Sequence, residues 1–330
     1  MHHVPGGNIT ASAYPDTRDL TDVLTRVCSP HAADGASVVI LDRHEYKGST
    51  FPVEIVSCLL PDGRHVRLFC KYESGRSHTG HGHRRGVCYE ADVYENVLSG
   101  LRSSAPAYFG RHRDRPTGDT WLFIEALDGK SIANTHRPHS IHALHQAAGW
   151  IGRLHRECES RALELHGITR YGAGYYRGFV DRAMAFSRGR GDDDAALLAV
   201  CHRADEFIEH LVTAPPTLIH GEFYPGNVLC EKDRISPVDW ESTAVAPGEL
   251  DLASLTEGWP PDFVAECEGE YARARWPGGA PAPFQRTLCA ARLYWAFRWL
   301  GDKPERFDRP RRSGSALTRL FEQSERWSLT

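Results

Sequence analysis

Residues 220–229 read HGEFYPGNVL. They follow an apolar pair at 218–219 and precede a second apolar piece at 235–240, which predicts a loop between two short strands. Inside this loop the carboxylate of Glu222 stands five positions before the amide of Asn227. An acidic side chain and an oxygen ligand at this spacing are typical of a site that handles phosphoryl groups.

A second carboxylate, Asp239, comes twelve residues after Asn227 and directly after the apolar Val238. Mg²⁺ prefers oxygen ligands from one or two carboxylates or amides together with nucleotide phosphates. Protein kinases arrange such groups as H-R-D-x-x-x-x-N followed by D-F-G, and the first acidic residue faces the acceptor hydroxyl. Asn227 and Asp239 are therefore predicted metal ligands, Glu222 is the predicted acceptor-facing carboxylate, and all three are candidate catalytic residues.

Charge and composition exclude several classes of protein. With 43 acidic and 39 basic residues the net charge is −4, so no overall positive field attracts nucleic acid or anionic membranes. The nine cysteines include no C-x-x-C pair, which favours reduced thiols. No run of 18 apolar residues occurs, and the N-terminus lacks a basic region followed by an apolar run. We expect a cytoplasmic protein with neither a nucleic-acid nor a membrane partner.

The first part of the chain is predicted to be rich in β-strands. Apolar runs occur at 37–41, 51–60 and 65–72. Proline and glycine at 61–63 supply turn dihedrals between the last two runs, which predicts a β-hairpin. Another short strand is expected at 121–127.

Helices are expected in two places. Apolar residues recur at helical spacing over 87–98, and Glu90 falls on the same buried face. A carboxylate there is costly unless it is paired with a cation or reaches the surface. From Ser140 onward almost the whole sequence is predicted to be helical, and an Arg-rich tail after Lys303 is predicted to be exposed.

Two further patterns resemble sites but are judged not to be sites. The loop at 73–86 contains His78, His81 and His83, yet flexible glycines preorganise no metal site and no thiol or carboxylate lies among the three histidines. Residues 129–131, GKS, mimic the end of a P-loop, but that motif needs glycine where the chain has Ile124. We therefore reject a P-loop nucleotide fold.

The motifs together resemble the aminoglycoside phosphotransferase and choline kinase family of protein-kinase-like small-molecule kinases. That family carries H-G-D-x-x-x-x-N and an apolar residue, then I-D-[WF]-[ED], then D-L-A. The chain has HGE at 220–222 with NV at 227–228, VDWE at 238–241 and DLA at 251–253. The residues at 151–155, IGRLH, resemble a helix end that the family carries upstream. The resemblance spans about residues 36 to 300, and a serious departure from it is Glu222, where the family has aspartate.

The resemblance implies an α+β, bilobal protein-kinase-like fold, with a small antiparallel β-sheet in the N-lobe and a larger, mainly helical C-lobe. We expect residues 1–123 to form the N-lobe with one helix, 124–130 the hinge, and 131–330 the C-lobe with the catalytic loop, metal site and acceptor pocket.

The resemblance also implies a site for ATP or GTP with Mg²⁺. Lys71 resembles the lysine that binds the α- and β-phosphates, and Glu90 resembles its ion-pair partner. That pairing explains a carboxylate on a buried helical face. The other implied nucleotide contacts are a shortened covering loop that includes Gly48, Ser49 and Thr50, and a hinge that includes Glu125 and Leu127, whose backbone holds adenine.

The implied function is an ATP-dependent transfer of the γ-phosphate to a hydroxyl of a small molecule. The acceptor is expected to be an antibiotic such as an aminoglycoside, which connects the chain to antibiotic resistance, or an amino-alcohol or secondary metabolite. A cationic acceptor groove is one reading of the acidic residues in the later helices, and a solvated helix face is the favoured one; these residues are Glu257, Asp262, Glu266, Glu268 and Glu270.

The alternative is a catalytically idle kinase-like protein that binds a nucleotide or ligand as a sensor or sequestering protein. Glu222 in place of aspartate favours this alternative, whereas the retained Lys71, Asn227 and Asp239 oppose it. The identity of the acceptor and the oligomeric state stay open at this stage.

Overall fold

The computed structural model describes residues 13–29, 35–75, 85–101, 104–134, 137–187, 192–302 and 316–329. These residues divide into two compact units. The first unit holds the described residues through 127, apart from residues 101, 104 and 105. The second unit holds those three residues and the described residues from 128 onward. The loop that contains His78, His81 and His83 lies outside the described residues.

The first unit contains a five-stranded antiparallel sheet of order β1-β2-β3-β5-β4. The strands are β1 Val39–Glu45, β2 Val53–Leu59, β3 His65–Tyr72, β4 Tyr108–Arg113 and β5 Thr120–Glu125. The predicted hairpin is confirmed: β2 pairs with β3, and Gly63 turns the chain with φ of +85°, a conformation that glycine adopts without steric cost. Strand β4 was not predicted from the sequence.

Two helices accompany this sheet. Helix α1 (Thr17–Cys28) begins where the Asp16 side chain accepts a hydrogen bond from the Asp19 amide, and it buries Leu20, Val23 and Leu24 in the core of the sheet. Helix α2 (Val87–Asn96) packs against β4 and β5 and confirms the helix predicted around Glu90.

The second unit is mainly helical, as predicted for the chain after Ser140. Its helices are α3 Arg137–Glu159, α4 Ala173–Ser187, α5 Asp192–His202, α6 Ala204–Thr213, α7 Glu249–Thr256, α8 Pro261–Arg275, α9 Phe284–Asp302 and α10 Ala316–Leu329. Helix α10 corrects the prediction of an exposed tail, because it packs against α9 and buries Leu320 and Trp327. The part of that tail at 303–315 lies outside the described residues. None of the helices in the described ranges has the length and hydropathy of a membrane-spanning segment.

Two small sheets in the second unit position the loop at 220–227. One has the order β10-β9-β6, with β6 Lys130–Ser131, β9 Val228–Glu231 and β10 Arg234–Pro237. The other has the order β7-β11-β8, with β7 Thr169–Arg170, β8 Pro216–Ile219 and β11 Ala244–Pro247. The loop runs from the end of β8 to the start of β9, which confirms the predicted loop between short strands.

Helix α9 is buried on nearly all sides, because it contacts α4, α6, α7 and α10. A helix without a polar face belongs in a core. At its C-terminal end Gly301 lies so close to α4 that an added Cβ atom would be 2.4 Å from the Phe179 carbonyl oxygen. Glycine at this position therefore permits the close approach of α4 and α9.

We predict that Gly301→Ala destabilises the protein by about 1–3 kcal/mol, because the methyl group meets backbone rather than a movable side chain. The matched control is Gly269→Ala in α8, where the nearest contact of a new Cβ is the tip of the Arg273 side chain at 3.3 Å. That control should raise stability by about 0.5–1 kcal/mol through helix propensity. Urea unfolding followed by circular dichroism compares them, and equal stability of the two variants would contradict the packing argument.

Candidate active site

The start of the 220–227 loop is held by Asp251, a fully buried carboxylate on α7. Its two oxygens accept hydrogen bonds from the backbone amides of His220 at 2.7 Å and Gly221 at 2.9 Å. Gly221 has φ of +81°, and an added Cβ atom would lie 2.0 Å from the Ser242 carbonyl oxygen. The glycine of the HGE motif is therefore required by both backbone conformation and close packing.

The imidazole of His220 joins this loop to Val238, the residue between β10 and Asp239. Burial lowers the pKa of His220, so the ring is neutral. Nε2 donates to the Val238 carbonyl at 3.0 Å, and Nδ1 accepts from the backbone amide of Glu222 at 3.3 Å. The His220 side chain thus holds both Val238, the residue before Asp239, and the backbone of Glu222.

Asn227 is held between the same two segments. Its side-chain Nδ2 donates to the Glu222 carbonyl at 3.2 Å, and its own carbonyl accepts from the Val238 amide at 2.9 Å. The amide therefore turns its oxygen away from Glu222. Asn227 is near the end of the loop, and its backbone lies beside the segment that carries Asp239.

Asp239 has a left-handed backbone, with φ of 68° and ψ of 63°. Non-glycine residues in this region carry strain of roughly 1–3 kcal/mol, and such residues are frequent at functional sites. A carboxylate oxygen of Asp239 lies within 4.8 Å of one from Glu241, a buried residue that the sequence analysis did not select. Carboxylate oxygens are donors that Mg²⁺ takes, so the neighbouring carboxylates of Asp239 and Glu241 fit such an ion.

The first unit contains the predicted ion pair between Lys71 and Glu90. Lys71 lies on β3 and Glu90 in the first turn of α2, and the Lys71 Nζ atom is 2.7 Å from the Glu90 Oε2 atom. Both side chains are buried, and the ammonium group also lies 5.3 Å from the centre of the Phe51 ring. The pairing accounts for a carboxylate on a buried helical face.

These motifs agree with a known family. The sequence profile of the phosphotransferase enzyme family, APH, matches residues 89–284. The chain belongs to this family. No curated protein sequence matches the chain significantly.

Solved structures of phosphotransferases share the fold. Choline kinase from Cryptosporidium parvum Iowa II has a TM-score of 0.57 at 12% identity, with 95% of each chain covered. Amicoumacin kinase hAmiN, solved with AMP-PNP, Ca²⁺ and Ami, has a TM-score of 0.57 at 14% identity, with 96% of this chain and 93% of that chain covered. Macrolide 2′-phosphotransferase MphH from Brachybacterium faecium has a TM-score of 0.53 at 17% identity, with coverages of 86% and 91%. The chain therefore has the α+β kinase-like fold that its motifs predicted.

Within this phosphotransferase-family chain, Glu222 has a partner that the sequence analysis missed. Its buried carboxylate forms an ion pair with the guanidinium of Arg298 on α9. Arg298 also donates to the Gly221 carbonyl at 2.8 Å. The sequence did contain a sign of this pair, because Arg298 lies in an otherwise apolar and aromatic segment. Like Glu90, a charge that is buried there requires a partner of opposite charge.

A second network missed in the sequence surrounds Asp251. His155 Nε2 lies 3.1 Å from the Asp251 carboxylate, and His155 Nδ1 lies 3.0 Å from the hydroxyl of Tyr271. Burial lowers the pKa of His155, so the neutral ring donates to Asp251 and accepts from Tyr271. Arg275 in turn donates to the same hydroxyl at 2.6 Å and pairs with Glu249 at 3.2 Å. The IGRLH and DLA motifs are thus joined at His155 and Asp251.

The other residues predicted to contact a nucleotide lie at the ends of strands and in a connection of the first unit. Gly48, Ser49 and Thr50 lie in the connection between β1 and β2. Glu125 ends β5, and its carboxylate accepts the Ala107 amide at 3.1 Å. Leu127 is partly buried two residues beyond the end of β5. Their role in binding a nucleotide stays a prediction.

We predict that Glu90→Gln lowers the free energy of unfolding by about 3–5 kcal/mol, because it removes the carboxylate charge that pairs with the buried ammonium group of Lys71. The control in the same helix is Glu95→Gln, which removes a partly exposed pair with Arg111 at 2.9 Å and should cost no more than about 1 kcal/mol. Thermal unfolding of both variants provides the comparison. If the two substitutions had equal effects, the Lys71 to Glu90 pair would not be a buried ionic contact.

Proposed function

We propose that the protein is a cytoplasmic, ATP-dependent phosphotransferase that moves the γ-phosphate to a hydroxyl group of a small molecule. The observation that carries this proposal is the hydrogen-bonded loop in the second unit. In it His220 and Asn227 tie the carboxylate-bearing Glu222 to the segment that carries Asp239. Phosphoryl transfer needs an acceptor-facing carboxylate and metal ligands in a fixed arrangement, since catalysis depends mainly on positioning and electrostatics.

Each group has a proposed role. Asn227 and Asp239 would hold Mg²⁺, with Glu241 as a further oxygen donor, and the ion would neutralise charge on the transferred phosphate. Lys71, kept in place by Glu90, would bind the α- and β-phosphates. Residues 48–50 would cover the nucleotide, and the backbone at Glu125 and Leu127 would hold the purine, whether adenine or guanine.

Glu222 is proposed to orient the acceptor hydroxyl and to accept its proton. A carboxylate of either length can do this, because little covalent chemistry is asked of the protein in phosphoryl transfer. Arg298 donates to one oxygen of Glu222, Oε1. The longer side chain is then anchored by Arg298 rather than left to reach into the acceptor.

The structural relatives support a small-molecule acceptor and a nucleotide with a divalent metal. They include a choline kinase, a macrolide 2′-phosphotransferase, and an amicoumacin kinase in complex with AMP-PNP and Ca²⁺. We propose a hydroxyl acceptor from the antibiotics, amino-alcohols or secondary metabolites for this chain as well. An idle nucleotide-binding protein is less favoured, because such a protein has no chemical need for the paired Lys71 together with both metal ligands.

We predict that the protein binds AMP-PNP in a Mg²⁺-dependent way. Calorimetry should show that chelation of Mg²⁺ and the variant Asp239→Asn each weaken binding by roughly tenfold or more. Chelation removes the ion that compensates the charge of the phosphates, and the variant removes a carboxylate that would hold this ion. The control is Asp233→Asn at the exposed turn between β9 and β10, where the side chain is 84% exposed; that variant should bind as the wild type does. Equal affinity in all conditions would refute the metal-site assignment.

We predict that Glu222→Gln lowers turnover by about 10²-fold or more while AMP-PNP affinity changes little, as expected for a group that acts on the hydroxyl. An assay of ADP release, run with a panel of hydroxyl compounds, first identifies an acceptor. The same assay then measures the loss of turnover in Glu222→Gln. Glu222→Asp should also lose turnover, since the shorter carboxylate no longer reaches Arg298. With a verified acceptor, unchanged turnover in Glu222→Gln would show that the carboxylate has no catalytic role.

A further inference from the structure

The guanidinium of Arg298 is surrounded by the groups with which proteins bind organic cations. It pairs with the Glu222 carboxylate, donates to the Gly221 carbonyl at 2.8 Å, and lies 4.4 Å from the centre of the Trp295 ring. A carboxylate, a carbonyl and an aromatic face together stabilise ammonium and guanidinium groups. We call the space bounded by these three groups the cation position.

The cation position is built from fixed parts. The Trp295 indole donates to the Leu250 carbonyl at 2.7 Å. The hydroxyl of Tyr294, which lies 3.4 Å from the Arg298 Nη1 atom, is 2.9 Å from the hydroxyl of Tyr175. Arg298 itself is only 3% exposed on a helix that is packed on nearly all sides. The guanidinium therefore has little room to move away, and moving it would break its ion pair with the buried carboxylate of Glu222.

The acidic residues of the later helices are also engaged by groups of the same unit. Four of the five carboxylates that suggested a cationic groove have partners within 3.5 Å. The contacts are Glu257 with Trp299 and Arg319, Glu266 with His145, Glu268 with Arg292, and Glu270 with Arg273. Three of these four carboxylates face an arginine, and a carboxylate that already faces a guanidinium of the protein attracts a polycationic ligand weakly, since the local charge is balanced.

We infer that Arg298 is a specificity-determining residue that fills the cation position beside Glu222. The acceptor therefore presents an uncharged, hydroxyl-bearing group to Glu222, and polycationic aminoglycosides are not acceptors. The inference rests on the proposed function, because Glu222 faces an acceptor only in a phosphotransferase. Its chemical basis is exclusion: an external cation would have to displace a guanidinium that is covalently part of α9, and so already held in place.

The first experiment removes Arg298 and supplies its head group from solution. Arg298→Ala should have a lower thermal midpoint than the wild type. Ethylguanidinium at millimolar concentration should raise that midpoint and should bind the variant roughly tenfold or more tightly than it binds the wild type. The control is Arg182→Ala. Arg182 lies 4.3 Å from the centre of the Phe179 ring and donates to the Gly301 carbonyl at 2.9 Å, and none of the carboxylates in the described residues accepts a hydrogen bond from it.

Ethylguanidinium should not raise the thermal midpoint of Arg182→Ala comparably or bind it more tightly. The space left by Arg182 offers an aromatic ring and a carbonyl, but no hydrogen-bonded carboxylate. A gain specific to Arg298→Ala supports the inference. If Arg298→Ala folds but neither binds ethylguanidinium nor is stabilised by it, the cation position does not exist and the inference is overturned.

The second experiment titrates kanamycin, a polycation, into the wild type loaded with Mg²⁺ and AMP-PNP, beside fully N-acetylated kanamycin as the uncharged match. We expect no binding of kanamycin below the millimolar range, and roughly tenfold tighter binding to Arg298→Ala. Sub-millimolar binding to the wild type overturns the inference, and this titration alone decides if Arg298→Ala does not fold. If the wild type did not bind AMP-PNP in a Mg²⁺-dependent way, the proposed function would be refuted. Stabilisation of Arg298→Ala by ethylguanidinium is measured without nucleotide, so the two failures can be told apart.

Discussion

The carboxylate of Asp251 holds the start of the 220–227 loop, and the geometry of the site in the second unit depends on it. A fully buried carboxylate is tolerated only when its oxygens are hydrogen-bonded. Asp251 meets this condition by accepting from two successive backbone amides, those of His220 and Gly221, and from the ring of His155. The same contacts fix the loop backbone, so that the His220 ring can reach the strand before Asp239.

Buried carboxylates paired with cations recur in this protein with different consequences. Glu90 pairs with Lys71 within the first unit, where the contact holds the ammonium group of a β3 side chain in place. Glu222 meets Arg298 within the second unit, where the pair anchors a side chain one methylene longer than the family's aspartate. In both places the partner was required by the same physics, because a charge moved out of water without compensation is far more costly than a matched pair.

Local signals predicted much of the fold, and the elements missed in the sequence still carried signals. The hairpin of β2 and β3 followed from two apolar runs separated by a turn with proline and glycine, and α2 followed from apolar residues at helical spacing. Helix α1 was missed although Asp16 caps it and Leu20, Val23 and Leu24 recur at helical spacing. Helix α10 was missed because its Arg-rich approach suggested an exposed tail, whereas tertiary packing against α9 decides its position.

For the site, the sequence by itself determined the residues of the 220–227 loop, the spacing of Glu222, Asn227 and Asp239, and the need of Glu90 for a cation, which the family resemblance identified as Lys71. The first two are short-range features of the chain, and the third follows because a buried charge needs a partner. Only the tertiary structure decided that Glu222 meets Arg298, 76 residues along the chain. The physical reason is that the partner of a buried charge is chosen by how distant helices pack, and the packing of α9 beside the loop is not encoded in the spacing of either segment.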